Sequence, residues 1–360
     1  MTEAVPADPV DTEDAMPLPT DPKVIYLGGL FFLALAAALY VAAEIVWPLI
    51  FAFMLALLFK PVQRMLERIH VPKAVSAFLI VLGVLALVVG LGTAVSGPAS
   101  TWAAKLPDGI PRLVERLRFL EGPLSTLQDF WHQLESFAGQ QEGASSSVAT
   151  SLLRLLFTGT RSIATGFFTT LLFLFFLLLA GEVFLQRLVE IMPRFSSKRQ
   201  VVDISQQIET EISAYLVTIT GMNAAVGLGT AAVMWFTGVG DPILWGTIAF
   251  LLNFVQIIGP LIGVIIFIMA GALVAENIWA AFIPAGLYLV IHLIEGEAVT
   301  PILLAKRFTL NPVLVIVSLV FWFWMWGAPG AILSVPMLAV TKIVCDRVRP
   351  LAAFGHFLEG

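Results

Sequence analysis

Long uncharged apolar stretches alternate with short charged clusters along the chain. A helix of about 20 apolar residues spans the ~30 Å hydrocarbon core of a bilayer. The apolar stretches have or approach that length: 24–43, 45–59, 74–96, 162–180, 214–239, 243–275, 278–293 and 312–341. The pattern predicts an all-α, polytopic integral membrane protein with about eight transmembrane or broken helical segments and an outer amphipathic helical block.

Two of these stretches are too long for one crossing. The 33 residues of 243–275 would form a helix of ~50 Å. Pro260 lacks a backbone N–H and Gly259 permits most turn geometries, so we expect the helix to break there. The stretch 312–341 has a similar interruption, with candidate gating residues Gly327, Pro329, Gly330 and Pro336. Paired broken helices mark substrate sites in many transporters.

The hydrophilic segments predict the domain organisation. We expect an acidic, disordered tail over 1–22, which lacks the basic start of a cleaved signal peptide. The rest divides into a first transmembrane bundle, an extracytoplasmic amphipathic block, a transmembrane bundle with broken helices that includes a cytoplasmic helix, and a cytoplasmic tail: 23–96, 97–161, 162–345 (cytoplasmic helix 182–212) and 346–360.

The basic residues predict the orientation. If the N-terminus is cytoplasmic, then the predicted loop 60–73, the segment 181–212 and the bases of 306–349 all lie inside, as the positive-inside rule requires. Most tryptophans then lie near the opposite interface. Both breaks are needed, because a single crossing of either long stretch would place the C-terminal bases outside. We therefore expect a multi-pass membrane protein with both termini cytoplasmic.

Composition agrees with a membrane protein and narrows the chemistry. The chain is 59 % apolar and 12 % charged, about half the charged fraction of a soluble domain. Its single cysteine, Cys345, excludes an intramolecular disulfide and a cysteine-ligated metal cluster. The partners expected from this composition are a lipid bilayer and a small polar solute or cation, and not a nucleic acid.

The ionisable residues near the end of the span 278–293 are candidates for an ion pathway. Glu295 and Glu297 follow His292 closely, and Pro301 ends the same segment. A carboxylate at the bilayer centre costs ~2.5–3.5 kcal/mol even on lenient scales, so an intramembrane Glu295 would bind protons or cations, with His292 as a relay. Alternatively, both glutamates are solvated or cap a helix at the cytoplasmic end, and His292 has a packing role.

Polar and small residues flank the predicted break in 243–275. Asn253 and Gln256 are three residues apart and share a helical face, from which they could contact a polar solute or bond a neighbouring helix. Gly259 and Gly263 form a GxxxG pair, which favours close helix contact over ligand contact. Together with Pro260, these residues complete the candidate pathway.

Enzymatic chemistry is not expected. The string 238–241 matches the GxGD motif of intramembrane aspartyl proteases, but no other predicted span contains the second aspartate that this chemistry needs. Asp241 precedes a proline and is predicted to lie in a turn. Neither HExxH nor the phosphate-binding GxxxxGK[ST] occurs, so we expect no metal, no nucleotide and no other cofactor.

The C-terminal third carries a series of motifs that resembles a known family. In order they are LNFVQIIGPLIG at 252–263, EGEAVTP at 295–301, LNPVLVIVSLV at 310–320 and WGAPGAILSVPMLAV at 326–340. The series is similar to that of the autoinducer-2 exporter family of bacterial membrane proteins. The resemblance implies a permease that exports a small polar solute or a quorum-sensing signal molecule, assembled as a ring-like homo-oligomer with a pentamer favoured.

Three functions remain open from the sequence. The first is the exporter, gated around the broken helices at 253–263 and 326–336 with Glu295 as its ionisable partner. The second is a sodium/proton or other cation/proton antiporter. The third is a membrane scaffold without transport activity, organised by the outer block and the helix at 182–212.

Overall fold

The computed structural model describes residues 22–116, 148–192, 194–255, 258–275, 277–299, 311–348 and 352–358. In these ranges the regular elements are helices. In chain order they are α1 Pro22–Val41, α2 Ala43–Arg68, α3 Lys73–Arg116, α4 Val148–Ile191, α5 Phe195–Phe236, α6 Pro242–Leu252, α7 Ile258–Val274, α8 Ile278–Ile294, a π-helical turn Glu295–Val299, α9 Pro312–Trp326, α10 Ala328–Arg347 and α11 Ala352–Phe357.

The helical, polytopic fold class is confirmed. Among the described residues, six helical segments are long and apolar enough to cross a membrane: Ala43–Arg68, Lys73–Lys105, Thr165–Ile191, Ser197–Phe236, Trp279–Val299 and Ala328–Arg347. Shorter apolar helices complete the set, and they include both halves of the first broken stretch and the first half of the second: Tyr26–Val41, Pro242–Leu252, Ile258–Val274 and Pro312–Trp326.

Helix α2 corrects one prediction, because residues 60–68 of the predicted loop 60–73 are helical. The side chain of Gln63 is buried and donates a 3.0 Å hydrogen bond to the carbonyl of Leu178 on α4. This contact holds the polar end of α2 against its neighbour. The helix ends at Arg68. A Schellman motif follows, in which His70 has φ 67° and the N–H groups of His70 and Val71 donate to the carbonyls of Glu67 and Leu66.

Helices α3 and α4 run beyond the predicted membrane boundaries. Each has 44 residues, which gives ~66 Å, or about twice the hydrocarbon thickness. No helix end separates the predicted span 74–96 from the outer block, since α3 continues to Arg116. The remainder of the predicted amphipathic block between the two helices, 117–147, lies outside the described residues.

The predicted cytoplasmic helix 182–212 is not one helix, because residues 182–191 belong to α4 and α5 begins at Phe195. From Phe195, α5 continues into the fifth span without interruption. It ends in a turn in which Gly238, Gly240 and Asp241 all have positive φ. Asp241 then precedes Pro242 at the start of α6, where a missing N–H carries no penalty. Close packing of α5 on α6 follows, because the glycines Gly227 and Gly246 face each other's backbone.

The chain divides into two compact units, one comprising 1–47, 182–212 and 308–360 and the other comprising 48–181 and 213–307. In the second unit, a core forms from α2, α3 and α4 around Leu174, and another forms from α3 and α5 to α8 around Phe267. In the first unit, Tyr40 of α1 stacks on Trp324 of α9 with ring centroids 5.5 Å apart.

Candidate functional site

The long stretch 243–275 is interrupted, but not at the predicted residues. Helix α6 ends at Leu252, the chain is non-helical at 253–255, and Gly259 and Pro260 lie in the first turn of α7, which begins at Ile258. Proline is tolerated there because the first N–H groups of a helix have no intrahelical acceptor. Pro260 is therefore placed where a new helix starts, rather than in the irregular segment itself.

Gly259 and Gly263 both lie where another group comes unusually close. A Cβ atom on Gly259 would overlap the carbonyl oxygen of Leu252, the last residue of α6, and one on Gly263 would overlap the hydroxyl of Tyr288 on α8. Farther along α7, Gly271 lies against the carbonyl of Ala281. Small residues at these positions let α7 approach both its own partner half-helix and α8.

A buried pair of amides lies at the start of the break. Asn253 is 8 % exposed and donates a 2.8 Å hydrogen bond from Nδ2 to Oδ1 of Asn223 on α5, which is fully buried. The Nδ2 atom of Asn223 has no hydrogen-bond partner among the described residues. Gln256, the other predicted polar residue of this face, lies outside the described residues.

The ionisable residues lie at the end of α8. Nδ1 of His292 is 3.8 Å from Oε2 of Glu295, and the two side chains are only 10 % and 18 % exposed. That separation exceeds a direct hydrogen bond. Glu295 begins the π-helical turn, a type of helix irregularity that is frequent at functional sites. Glu297 is exposed, and Pro301 lies outside the described residues.

A continuous series of edge-to-face aromatic contacts runs through the second unit to His292. The successive ring centroids are 4.8 Å (Trp102–Trp245), 6.0 Å (Trp245–Phe267), 4.5 Å (Phe267–Tyr288) and 4.5 Å (Tyr288–His292) apart. Three buried polar atoms of this series, Trp245 Nε1, Tyr288 OH and His292 Nε2, lack a hydrogen-bond partner among the described residues. Each such atom costs about 1–3 kcal/mol.

Asp241 has a structural partner at the other end of this series. Its Oδ2 accepts a 2.8 Å hydrogen bond from Nε1 of Trp102 on α3. The residue lies in the turn before α6 with a left-handed backbone conformation. The interaction ties the long helix α3 to the turn between α5 and α6, and it agrees with the prediction that Asp241 is a turn residue.

The second broken stretch is interrupted at Gly327, between α9 and α10. Gly327 has φ 65° and ψ −141°, a conformation open essentially to glycine alone. Pro329 and Gly330 lie in the first turn of α10, and Pro336 is buried within that helix. A Cβ atom on Gly330 would overlap the carbonyl oxygen of Trp322, so this hairpin has the same glycine-to-carbonyl contact as the first.

Comparisons with known proteins agree with this architecture. The family model described as AI-2E family transporter matches residues 30–349, nearly the whole chain. The chain belongs to this family. It is a multi-pass membrane transporter, which supports transport over the scaffold role.

Curated relatives match the chain over most of its length. The AI-2 transport protein TqsA of Escherichia coli is 28 % identical over 90 % of this chain and 92 % of its own length. A putative transport protein of Haemophilus influenzae is 24 % identical over 92 % of this chain and 95 % of its own length. The putative transport protein YueF of Bacillus subtilis is 23 % identical over 89 % and 85 %.

Within this transporter, the structure adds residues that the sequence did not single out. Asn223 and Tyr288 place buried polar groups beside Asn253 and His292, and Trp102 bonds Asp241. An asparagine in the otherwise apolar span 214–239 was a visible signal for Asn223. Trp102 joins helices far apart in the sequence, and Tyr288 joins the consecutive helices α7 and α8. No local pattern indicated these contacts.

Proposed function

We propose that this AI-2E family transporter exports a small polar solute across the inner membrane of a bacterium. The name of its relative TqsA, an AI-2 transport protein, supports a signal molecule as one such solute. We also propose cytoplasmic termini, from the positions of the bases, and a ring-like homo-oligomer, with a pentamer favoured by the family resemblance. No catalytic activity is part of this proposal.

The observation that carries the proposal is the interrupted helix pair α6–α7 with a buried amide pair beside the interruption. Irregular backbone at membrane depth is tolerated only inside protein or beside a watery cavity. Asn253 and its partner Asn223 supply hydrogen-bonding groups at that point. A polar solute could exchange bonds to water for bonds to these groups on its way across the bilayer. The break α9–α10 is the proposed second gating element.

Glu295 is the proposed ionisable partner of transport. Its carboxylate is mostly withdrawn from solvent and has the imidazole of His292 within 3.8 Å. The imidazole gives this carboxylate a polar neighbour that hydrocarbon lacks. Binding and release of a proton at Glu295 could then couple solute movement to a proton gradient.

Exchange of Glu295 for Gln tests this role. We expect gradient-dependent solute flux into inverted membrane vesicles to fall at least tenfold in Glu295→Gln, since glutamine cannot change its charge. The matched control is Glu297→Gln, two residues away but exposed, which should keep wild-type flux. Undiminished, gradient-dependent flux in a correctly assembled Glu295→Gln protein would remove this residue from the mechanism.

A cation/proton antiporter is the second candidate, and the His292–Glu295 pair is the observation that favours it. Fluorescence quenching of a pH-sensitive dye in inverted vesicles separates the two functions. An antiporter collapses the pH gradient when Na⁺ is added, whereas the exporter leaves the gradient unchanged by Na⁺ alone. The exporter is preferred because the uncharged break offers hydrogen bonds rather than a charged cation site.

A further inference from the structure

We infer that Asn223 is the recognition residue beside the α6–α7 break, and that it selects uncharged solutes with acceptor oxygen atoms, such as hydroxyl or carbonyl groups. The inference rests on the proposed export function and specifies its substrate class.

The hydrogen-bond inventory at the amide pair is incomplete. A primary amide has two N–H donors and a carbonyl acceptor. The single bond from Asn253 to Asn223 uses one donor and one acceptor, and it leaves the Nδ2 group of Asn223 without a partner among the described residues. Asn223 is fully buried, so the unused group has a desolvation cost of the kind that a bound solute would offset.

The neighbouring residues on the same face of α5 have no such unused group. Gly227, one turn after Asn223, packs directly on Gly246 of α6. Thr230, a further turn along, is also fully buried, but its hydroxyl donates a 2.8 Å bond to the carbonyl of Val226. Burial alone therefore does not produce unused donors on this helix. The unused donor occurs where the partner helix is interrupted.

The helices that form the amide pair, α5 and α6, and the adjoining α7 carry almost no charge in their apolar spans. Between residues 213 and 275 the only charged residue is Asp241, and its carboxylate is bonded to Trp102. A buried ion without a counter-charge is costly, so a full charge is disfavoured. Gly259 places the N-terminal turn of α7 against Leu252, the last residue of α6. The positive end of the α7 helix dipole lies in that turn, and it favours an oxygen acceptor. An uncharged, oxygen-bearing solute fits both conditions.

Ligand-induced stabilisation in lipid nanodiscs tests the inference without measuring transport. The probe is ribitol, an uncharged polyol, with sodium chloride at the same concentrations as the charged comparison. The variant is Asn223→Leu, which keeps the side-chain size, and the matched control is Thr230→Val on the same face of α5. The readout is the dependence of the unfolding midpoint on probe concentration, from which a dissociation constant follows.

We expect ribitol to stabilise the wild type and Thr230→Val equally, and to bind Asn223→Leu about tenfold more weakly. A tenfold loss is the size expected for hydrogen bonds to a neutral ligand. Equal ribitol binding by Asn223→Leu would overturn the inference. So would an absence of ribitol stabilisation in the wild type, or stabilisation by sodium that depends on Asn223.

A second variant and a flux measurement distinguish a failure of the recognition role from a failure of the proposed export function. If Asn223→Leu does not unfold cooperatively, Asn253→Leu is used instead, and its affinity for ribitol should be about tenfold lower than that of the wild type. Ribitol flux in proteoliposomes is then measured on the same proteins. If ribitol binding depends on Asn223 but no ribitol flux is seen, export is contradicted and the recognition role is not. If ribitol flux is the same in the wild type and the variants, the recognition role alone is contradicted.

Discussion

At the residue scale, glycines of the C-terminal half act mainly through close contact. Among the described glycines, positive φ occurs at Gly238, Gly240 and Gly327. Gly259 and Gly263 are not in that group, and each instead lies against an atom that a Cβ would overlap. The predicted role of Gly259 as a flexible break point is therefore replaced by a steric one, in which the missing side chain permits a close approach. The position of Gly263 against Tyr288 agrees with the close helix contact that the GxxxG pair predicted.

The contact between Gly263 and Tyr288 gives a stability prediction. Gly263→Ala should lower the unfolding free energy by about 1–3 kcal/mol, the usual cost of overpacking, because the new methyl overlaps the Tyr288 hydroxyl. Tyr288→Phe in the same chain should recover part of this loss by removing the hydroxyl. Denaturant or thermal unfolding in nanodiscs measures both effects.

The matched control for this prediction is Gly286→Ala on α8, where a Cβ meets no other atom within 4 Å. It should leave stability within ~0.5 kcal/mol of the wild type. A cost for Gly263→Ala no larger than that of the control, or no recovery on adding Tyr288→Phe, would show that the close contact does not limit packing.

The sequence indicated some site residues better than others for a physical reason. Asn253 and Glu295 are polar groups near apolar stretches, and the cost of burying them is visible in any local window. The position of the break after Leu252 was not visible, because Pro260 suits the first turn of a helix as well as it ends one. Tyr288 gave no signal, since a tyrosine in an apolar span also fits an interfacial position.

At the element scale, helix identity was predictable and helix length was not. The apolar stretches located each span, and the interruption at Gly327 was confirmed. The continuation of α3 through Gly97 and Pro98 was missed, because proline locally predicts a helix end. Tertiary contact outweighs that local preference, since Trp102, one turn later, is buried and bonded to Asp241.

The α9–α10 hairpin provides an element-scale prediction. Gly330→Ala should destabilise the protein more than a single core substitution of similar size, because the new Cβ overlaps a backbone carbonyl, that of Trp322, which cannot rotate away as a side chain does. Ser318, which donates a 2.9 Å bond to the carbonyl of Ser334, fixes the two helices nearby. We expect a loss of at least 3 kcal/mol in unfolding free energy.

The comparison for this hairpin is Gly83→Ala on α3, whose Cβ would meet open space. The loss of unfolding free energy in Gly327→Ala should lie between those of Gly83→Ala and Gly330→Ala, at about 1–3 kcal/mol, because this substitution strains the backbone without a steric overlap. Thermal unfolding should show the smallest loss of stability for Gly83→Ala, a larger loss for Gly327→Ala and the largest for Gly330→Ala. A Gly330→Ala protein as stable as Gly83→Ala would contradict it.

At the scale of the whole molecule, the two breaks belong to different compact units. The break α6–α7 and the His292–Glu295 pair lie in the unit that comprises 48–181 and 213–307, whereas the break at Gly327 lies in the other unit. Each unit therefore has its own interrupted helix pair, held by a glycine against a carbonyl. In the proposed transporter, recognition at Asn223 and Asn253 and proton binding at Glu295 are properties of one unit.

The central claim is that the interruption after α6 borders an aqueous route for the solute. Substituted-cysteine labelling tests it most directly, in a Cys345→Ser background that removes the single native cysteine. Asn253→Cys should react with a membrane-impermeant thiol reagent, while Leu261→Cys on the exposed apolar face of α7 should not react. An unreactive Asn253→Cys in a protein that still transports would contradict the account.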